Sequence, residues 1–227
     1  MRIPSRKNIK TERIAMGRHI VYSEGTKTEP FYVQNISEHL PIDLNHRNIL
    51  IPKKYKDTKH TIDLLKRAEN DINKERKAGK TVDGVWILFD KDSFDDFDEA
   101  CKLIEGKNTK RNMDGYYGDE HGTVWHCCYS NESFEIWPYL HFEDLSSALH
   151  RDSYIGKINS FIKNRGYNEK YKKNEKKLYD FLERNGGDVN KAIRFAKRKD
   201  DDPHCSKTNP STRIYDLVEF FKAYFKQ

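Results

Sequence analysis

A small, mostly parallel α/β sheet flanked by helices, with a helical C-terminal part, is the fold class this sequence predicts. Three observations predict it. Val85-Trp86-Ile87-Leu88-Phe89 is an unbroken apolar run, rich in β-branched and aromatic residues, between Gly84 and a polar cluster. Such a run reads as a strand buried on both faces, as parallel sheets require. Comparable short runs alternate with segments of helical period as far as Tyr129, and strands separated by helices pair in parallel through right-handed crossovers. Beyond Tyr129 nothing reads as strand, so the rest of the chain is expected to be helical.

In order along the chain, residues 1–17 are polar, basic and aperiodic, the pattern of a flexible tail. An α/β core is expected over 18–145 and a helical extension packed on it over 146–227. His19–Ser23 is the first strand, followed by a helix from about Glu29 to Leu40 that packs through Phe31, Ile36 and Leu40. Asn48–Ile51 is a second strand, stopped by Pro52. A long helix over about 58–77 places Ile62, Leu65, Ala68 and Ile72 at helical spacing and ends at Gly79. After the central strand, Ser93 can cap a helix whose apolar positions include Phe97, Cys101 and Ile104. Gly106 to Gly122 is a polar, Gly-rich loop expected to border the site, and Thr123–Tyr129 is the fourth strand. Helices follow over Ser133–His141, 153–165, 169–185 and 188–199, and a last one presents Ile214, Leu217, Val218 and Phe221 on one face.

Composition narrows the class of function. Of 227 residues, 36% are hydrophobic and 34% charged, which gives a modest core under a densely charged surface. No run reaches the length of a membrane span and no secretory h-region opens the chain, so a cytoplasmic protein is expected. Cys101, Cys127, Cys128 and Cys205 form no Cys-x-x-Cys pair, so reduced thiols are expected rather than a zinc site or a disulfide framework. No Gly-x-x-x-x-Gly-Lys-Ser/Thr cradle for nucleotide phosphates is present, which leaves an ATPase function without a home. The net charge of +6 is unevenly spread: residues 151–199 hold fifteen Lys/Arg against six Asp/Glu, while residues 83–105 are acidic. Acidic pocket beside basic surface suits an enzyme that cleaves a polyanion.

The chemistry concentrates where strands end. The central run finishes in Asp90-Lys91-Asp92, at the carboxyl end of a strand, where open α/β sheets place their ligands. Two carboxylates held close repel unless a cation neutralises them, and a hard divalent ion with oxygen ligands does so most simply. The first strand ends in Glu24, and Gly25 permits a sharp turn there. Glu29-Pro30 suits the first turn of a helix, where Pro is tolerated and an acid complements the dipole. Glu24, Asp90 and Asp92 are therefore the candidate catalytic and metal-binding cluster. Glu29, which also has this structural reason to exist, and Glu135, just after the fourth strand, are further metal-ligand candidates.

A strand ending in Glu-Gly paired with a strand ending in Asp-x-Asp resembles the Toprim domain of topoisomerases, primases and OLD-type nucleases. The longer wording is narrower. Glu24-Gly25-x-x-Thr28-Glu29-Pro30, Phe89-Asp90-x-Asp92, Ser130-Asn131-Glu132-Ser133-Phe134-Glu135-Ile136-Trp137-Pro138 and Asn209-Pro210-Ser211-Thr212 together resemble the RloB-like family. The match runs in order over nearly the whole chain and departs at Glu132, where the family usually has Pro. The resemblance implies a Toprim-like, Rossmann-like sheet and a nuclease of restriction and abortive-infection loci. It implies Mg2+, with Mn2+ as a substitute, held by the Asp pair, Glu24 either joining the metal or moving a proton. It also implies an ATPase partner encoded alongside. The substrate expected is DNA or RNA, tRNA included, with Lys27, Lys91, Lys172, Lys173, Lys176 and Lys177 as candidate contacts to its phosphates.

Other readings stand beside this one. A Toprim-fold adaptor would keep the sheet to bind its partner without chemistry. A HAD-type phosphatase also uses Asp-x-Asp after a strand, but on its first strand and with Thr or Val where Phe94 stands here. Phe134, Trp137, Leu140 and Phe142 read as core rather than as base-stacking platforms, and His141 as a core histidine.

Overall fold

The computed structural model describes residues 16–41, 44, 48–52, 61–91, 96–111, 117–199 and 208–225. Residues 1–15 of the tail expected over 1–17, together with Asp92, Ser93 and Cys205, lie outside these; Met16, at the end of that expected tail, is buried in the core.

The central apolar run forms a strand because every one of its side chains finds cover. Gly84–Asp90 (β3) lies in the middle of a five-stranded sheet, with only Asp90 at its end partly exposed. His19–Ser23 (β1) pairs with it in parallel on one side, and Val124–Asn131 (β6) on the other. Ile49–Leu50 (β2) adds to β1 in parallel. The fifth strand, Ser211–Thr212 (β7), runs antiparallel to the end of β6. Lys110–Arg111 (β4) and Tyr117–Gly118 (β5) form a separate two-stranded ribbon.

Strand alternation sorts the core into two layers. Ile20, Tyr22, Val85, Ile87, Phe89, Trp125, Cys127 and Tyr129 face the helices Thr61–Lys77 (α2) and Phe97–Glu105 (α3). Val21, Trp86, Leu88 and Cys128 face the opposite layer. That layer contains Thr28–Ser37 (α1), Ile136–Leu140 (α4), Ser153–Asn164 (α5), Leu178–Arg184 (α6), Val189–Lys197 (α7) and Ile214–Lys222 (α8). The result is a mixed α/β fold with a mostly parallel sheet and a helical C-terminal part that shares one core with α1. α7 starts at Asp188, whose carboxylate accepts hydrogen bonds from the backbone N–H of Asn190 and Lys191. Cys101, Cys127 and Cys128 are buried thiols.

Several expectations are corrected. α1 packs through Tyr32, Val33 and Ile36, while Phe31 is only partly buried. α2 buries Leu64, not Ile62. A strand does follow Tyr129 in sequence: Ser211 pairs with Asn131 and Thr212 with Ser130, and two residues are too short to carry a period. The long helix expected over 169–185 is confined to 178–184. Its first half, rich in good helix formers, is pulled out of a helix by tertiary contacts. The Tyr171 ring is drawn into the core, with 1% exposure. The Asn159 side chain satisfies the Tyr171 backbone on both sides, accepting from its N–H at 2.7 Å and donating to its C=O at 3.1 Å. The described residues of the loop expected over 106–122 lie at the amino ends of the strands, not at their carboxyl ends: Asn108 grips the backbone of Trp125, the second residue of β6.

Candidate functional site at the carboxyl edge of the sheet

Parallel strands deliver all their carboxyl ends to one edge, so residues distant in sequence meet there without any special device. Ser23 pairs with Leu88, and the Glu24 backbone N–H continues the ladder to the Leu88 carbonyl at 2.9 Å. Asp90 pairs with Ser130, and Lys91 N–H donates to the Ser130 carbonyl at 2.9 Å. Glu24 thus stands opposite Phe89, one residue short of Asp90. With strands about 4.8 Å apart and a rise of about 3.3 Å per residue, the two backbones lie within about 6 Å. Both residues are partly buried.

Their phase differs, which sequence reading had not separated. Asp90 continues the series Trp86, Leu88, whereas Glu24 continues Ile20, Tyr22. The register therefore brings the two backbones together, while strand alternation directs the Glu24 and Asp90 side chains towards opposite faces of the sheet, against the expectation that both carboxylates lie on one side. Ser23 fixes the turn that follows by donating from Oγ to the Gly25 carbonyl at 3.0 Å.

Glu29 joins this edge from α1. A Cβ on Gly25 would lie 1.9 Å from Glu29 Oε2 and 2.2 Å from Oε1, so the carboxylate rests directly on the glycine. The side chain of this first-turn acid is folded back onto the loop that ends β1. Glu135, at the amino end of α4, is 4% exposed, and Lys173 closes on it with Nζ 3.1 Å from Oε1. Burial raises the pKa of the Tyr171 hydroxyl, and the charges of Glu135 and Glu29 add to the shift, so these two carboxylates bear on one buried ring. Burial likewise raises Tyr154, with Glu132 and Glu135 contributing. The hydroxyls of Ser133, Tyr154 and Tyr171 are buried without a hydrogen-bond partner among the described residues.

Among the described residues no three His, Cys, Asp or Glu side chains gather as a ready metal-binding group. Asp92, the third member of the expected cluster, lies outside them. The carboxylates at this edge are oxygen donors of the type a hard divalent cation takes: Glu24 and Asp90 end adjacent strands and Glu29 rests on the turn after Glu24, while Glu135 is held by Lys173.

The candidate phosphate-binding lysines divide. Lys27, Lys172 and Lys176 are exposed, and Lys91, beside Asp90, lies 6.0 Å from the centre of the Phe97 ring. Lys173 is committed to Glu135 and Lys177 to Glu38. Phe134, Trp137, Leu140 and Phe142 are all buried in the core. His141 is wholly buried, its Nδ1 3.5 Å from Glu183 Oε1.

Sequence reading did not foresee a polar concavity at the opposite edge. It encloses about 420 Å³ between α2, Trp125 and the ribbon, with Asn70, Asn73 and Lys110 on its walls. Its other cations are already matched: Arg76 holds Asp119 at 2.6 Å, and Lys107 pairs with Glu69 while lying 4.9 Å over the Trp125 ring.

Comparison with curated proteins and with solved structures gives no match. A family model described as RloB-like protein matches residues 19–221, from the first residue of β1 to the last turn of α8. This chain belongs to the RloB-like family.

Proposed function

We propose that this chain is a divalent-cation-dependent, Toprim-type endonuclease that cleaves nucleic-acid phosphodiesters in anti-phage defence, alongside a partner ATPase. The observation that carries the reading is the arrival of Glu24 and Asp90 at the ends of adjacent parallel strands, with Glu29 folded onto the turn that follows Glu24. Family membership supports the setting in defence loci.

Glu24, Asp90 and Asp92 are the residues that would hold Mg2+ or Mn2+, with Glu29 and Glu135 as further oxygen donors. Such an ion, when bound, polarises the phosphodiester and lowers the pKa of an attacking water. The protein's own groups do the rest. Lys27, Lys91, Lys172 and Lys176 draw in the backbone by its phosphates, whatever the base sequence. A carboxylate at the strand ends takes the proton that water loses as its oxygen bonds to phosphorus. The ester P–O bond then breaks, and the leaving oxygen takes a proton from solvent water.

The test is cleavage of plasmid DNA and total RNA with Mg2+, by the full chain with and without its partner ATPase. Asp90→Asn and Glu24→Gln serve as controls. Cleavage by the wild type that both variants lose is expected. Undiminished cleavage by both variants, or no cleavage under any of these conditions, overturns the proposal in favour of a non-catalytic adaptor.

A further inference from the structure

α5 ends in a turn that leaves one tyrosine ring on the surface. Gly166 adopts φ 84°, the left-handed conformation that glycine takes at helix ends, and the Tyr167 N–H donates back to the Ile162 carbonyl at 3.1 Å. The side chain is held as well. A Cβ built on Gly186 would lie 2.8 Å from Tyr167 Cε2 and 3.1 Å from Arg165 Cδ. The ring and the arginine stem therefore rest together on the backbone of the turn between α6 and α7. The Arg165 guanidinium is anchored beyond it, 5.0 Å over the Phe142 ring, with Nη2 donating to the Phe142 carbonyl at 2.8 Å. Tyr167 keeps 40% exposure, whereas Tyr154 and Tyr171, its neighbours among the tyrosines in sequence, are buried. An aliphatic side chain would cover this turn equally well. An aromatic ring fixed against a turn and open to solvent is also a stacking platform.

The surroundings are positive. Residues 163–172 contain the cations Lys163, Arg165, Lys170 and Lys172 against one acid, Glu169. Lys163, Lys170 and Lys172 are exposed and make no ion pair among the described residues. Glu169 is already neutralised, because Arg184 donates to it from Nε at 3.0 Å and from Nη2 at 2.9 Å.

We infer that Tyr167 is a base-stacking residue for an unpaired nucleic-acid strand, whose phosphates are held by Lys163 and Lys170 on either side of it. This rests on the reading of the chain as a nucleic-acid enzyme and names its substrate class, a strand whose bases are free. A duplex buries the faces of its bases in its own stack. Stacking on an aromatic ring tolerates any sequence, since every base has a π-face, and the lysines add backbone contacts without base preference. The two contributions are separable: one depends on the bases, the other on salt.

The experiment is fluorescence anisotropy of the full chain with labelled strands of about 12 nucleotides, in EDTA so that none is cut. One strand carries bases, a second of equal length is abasic, and a third is a duplex. Tyr167→Leu keeps an apolar cover on the turn and removes the ring. It is expected to weaken binding of the base-bearing single strand by roughly fivefold to a hundredfold, with the abasic strand and the salt slope unchanged. Tyr167→Phe keeps the ring and is expected to bind as the wild type does. Lys163→Gln with Lys170→Gln should weaken both single strands alike and flatten the log–log salt slope by about 1.4, about 0.7 for each lost contact. Tyr167→Trp supplies a second readout. Trp86, Trp125 and Trp137 are buried, so the fluorescence of the added, exposed indole should be quenched by the base-bearing strand and not by the abasic one. Unweakened binding in Tyr167→Leu, or equal losses on base-bearing and abasic strands, overturns the stacking role even where the wild type cleaves. Should Tyr167→Leu not fold, the Tyr167→Trp signal decides, and absence of quenching overturns the inference. Binding of the duplex alone also overturns it and leaves the nuclease reading standing. A wild type that neither binds nor cleaves any nucleic acid removes both.

Discussion

Gly25 and Gly84 both stand where a methyl group would collide with a neighbour, yet the consequences differ. At Gly25 the obstacle is the flexible end of Glu29, 1.9 Å from the position a Cβ would take. At Gly84 it is the His19 imidazole, 2.2 Å away and held in the core against Phe220 and Trp86. Gly25→Ala is therefore expected to displace the Glu29 carboxylate and leave the urea midpoint near that of the wild type. Gly84→Ala should cost about 1–3 kcal/mol, as overpacking of a filled core does. Equal losses of stability in the two variants would refute this account. Asp90 is the other residue whose effect should be chemical rather than structural. It is partly exposed at a strand end, so Asp90→Asn should fold with an unchanged melting temperature. Its cleavage rate should drop by roughly a thousandfold, the several kcal/mol that metal polarisation contributes. Single-turnover kinetics under saturating Mg2+ measures this.

At the scale of elements, the strap over 171–177 converts a run of lysines into distinct roles. Its sequence alone reads as a solvated helix face. The structure instead sends Tyr171 inward, Lys173 to Glu135 and Lys177 to Glu38, leaving Lys172 and Lys176 exposed. Lys172→Gln with Lys176→Gln should weaken binding of every sequence alike. The log–log salt slope should flatten by about 1.8 on duplex DNA, about 0.9 for each phosphate that is no longer neutralised. Fluorescence anisotropy in Ca2+ between about 50 and 200 mM salt reads this slope. An unchanged slope would mean that these two side chains only solvate the surface.

For the whole molecule, three histidines packed against aromatic rings, His19 and His141 buried and His126 partly buried, set the response to acid. Trp86 is stacked on His126 with ring centres 3.5 Å apart, and its Nε1–H donates to His19 Nδ1 at 3.2 Å. Burial lowers the His19 pKa to about 4 against the raising influence of Asp83, and lowers His126 to about 3, with His19 adding to the shift. Burial also lowers His141, opposed by Glu183. These groups are neutral in the fold but take up protons at about pH 6.5 once unfolded. The unfolded chain therefore binds more protons below that value. Stability is complete above about pH 6.5 and falls as the pH drops towards the folded values. For His19 the loss by pH 5 is about 2 kcal/mol. The lowered carboxyl groups of Asp119, Asp180 and Glu75 act in a more acidic window, so the decline between about pH 6.5 and 5 belongs to histidine. Urea midpoints at pH 7 and 5 should differ accordingly, and His126→Phe, which keeps a ring on Trp86, should shrink the difference. A midpoint constant over this range would show that the rings are not held neutral.

What the sequence by itself determined was local. The apolar run of β3, the period of α2 and α3, and the carboxylates at the ends of β1 and β3 are written in neighbouring residues. Side-chain periodicity follows from backbone geometry over a few bonds. The family wording was legible for the same reason, since Glu24-Gly25 and Phe89-Asp90 are short strings. Tertiary structure alone decided the strand order β2-β1-β3-β6-β7, and with it the neighbourhood of Glu24 and Asp90 and their difference in phase. It also decided the antiparallel β7, the retreat of α6 to residue 178 and the closing of Lys173 on Glu135. Those outcomes depend on which of several compatible surfaces is buried against which, across separations of tens of residues. Helix propensity, worth less than about 1 kcal/mol per residue, loses to the burial of one tyrosine ring and the satisfaction of its backbone by Asn159.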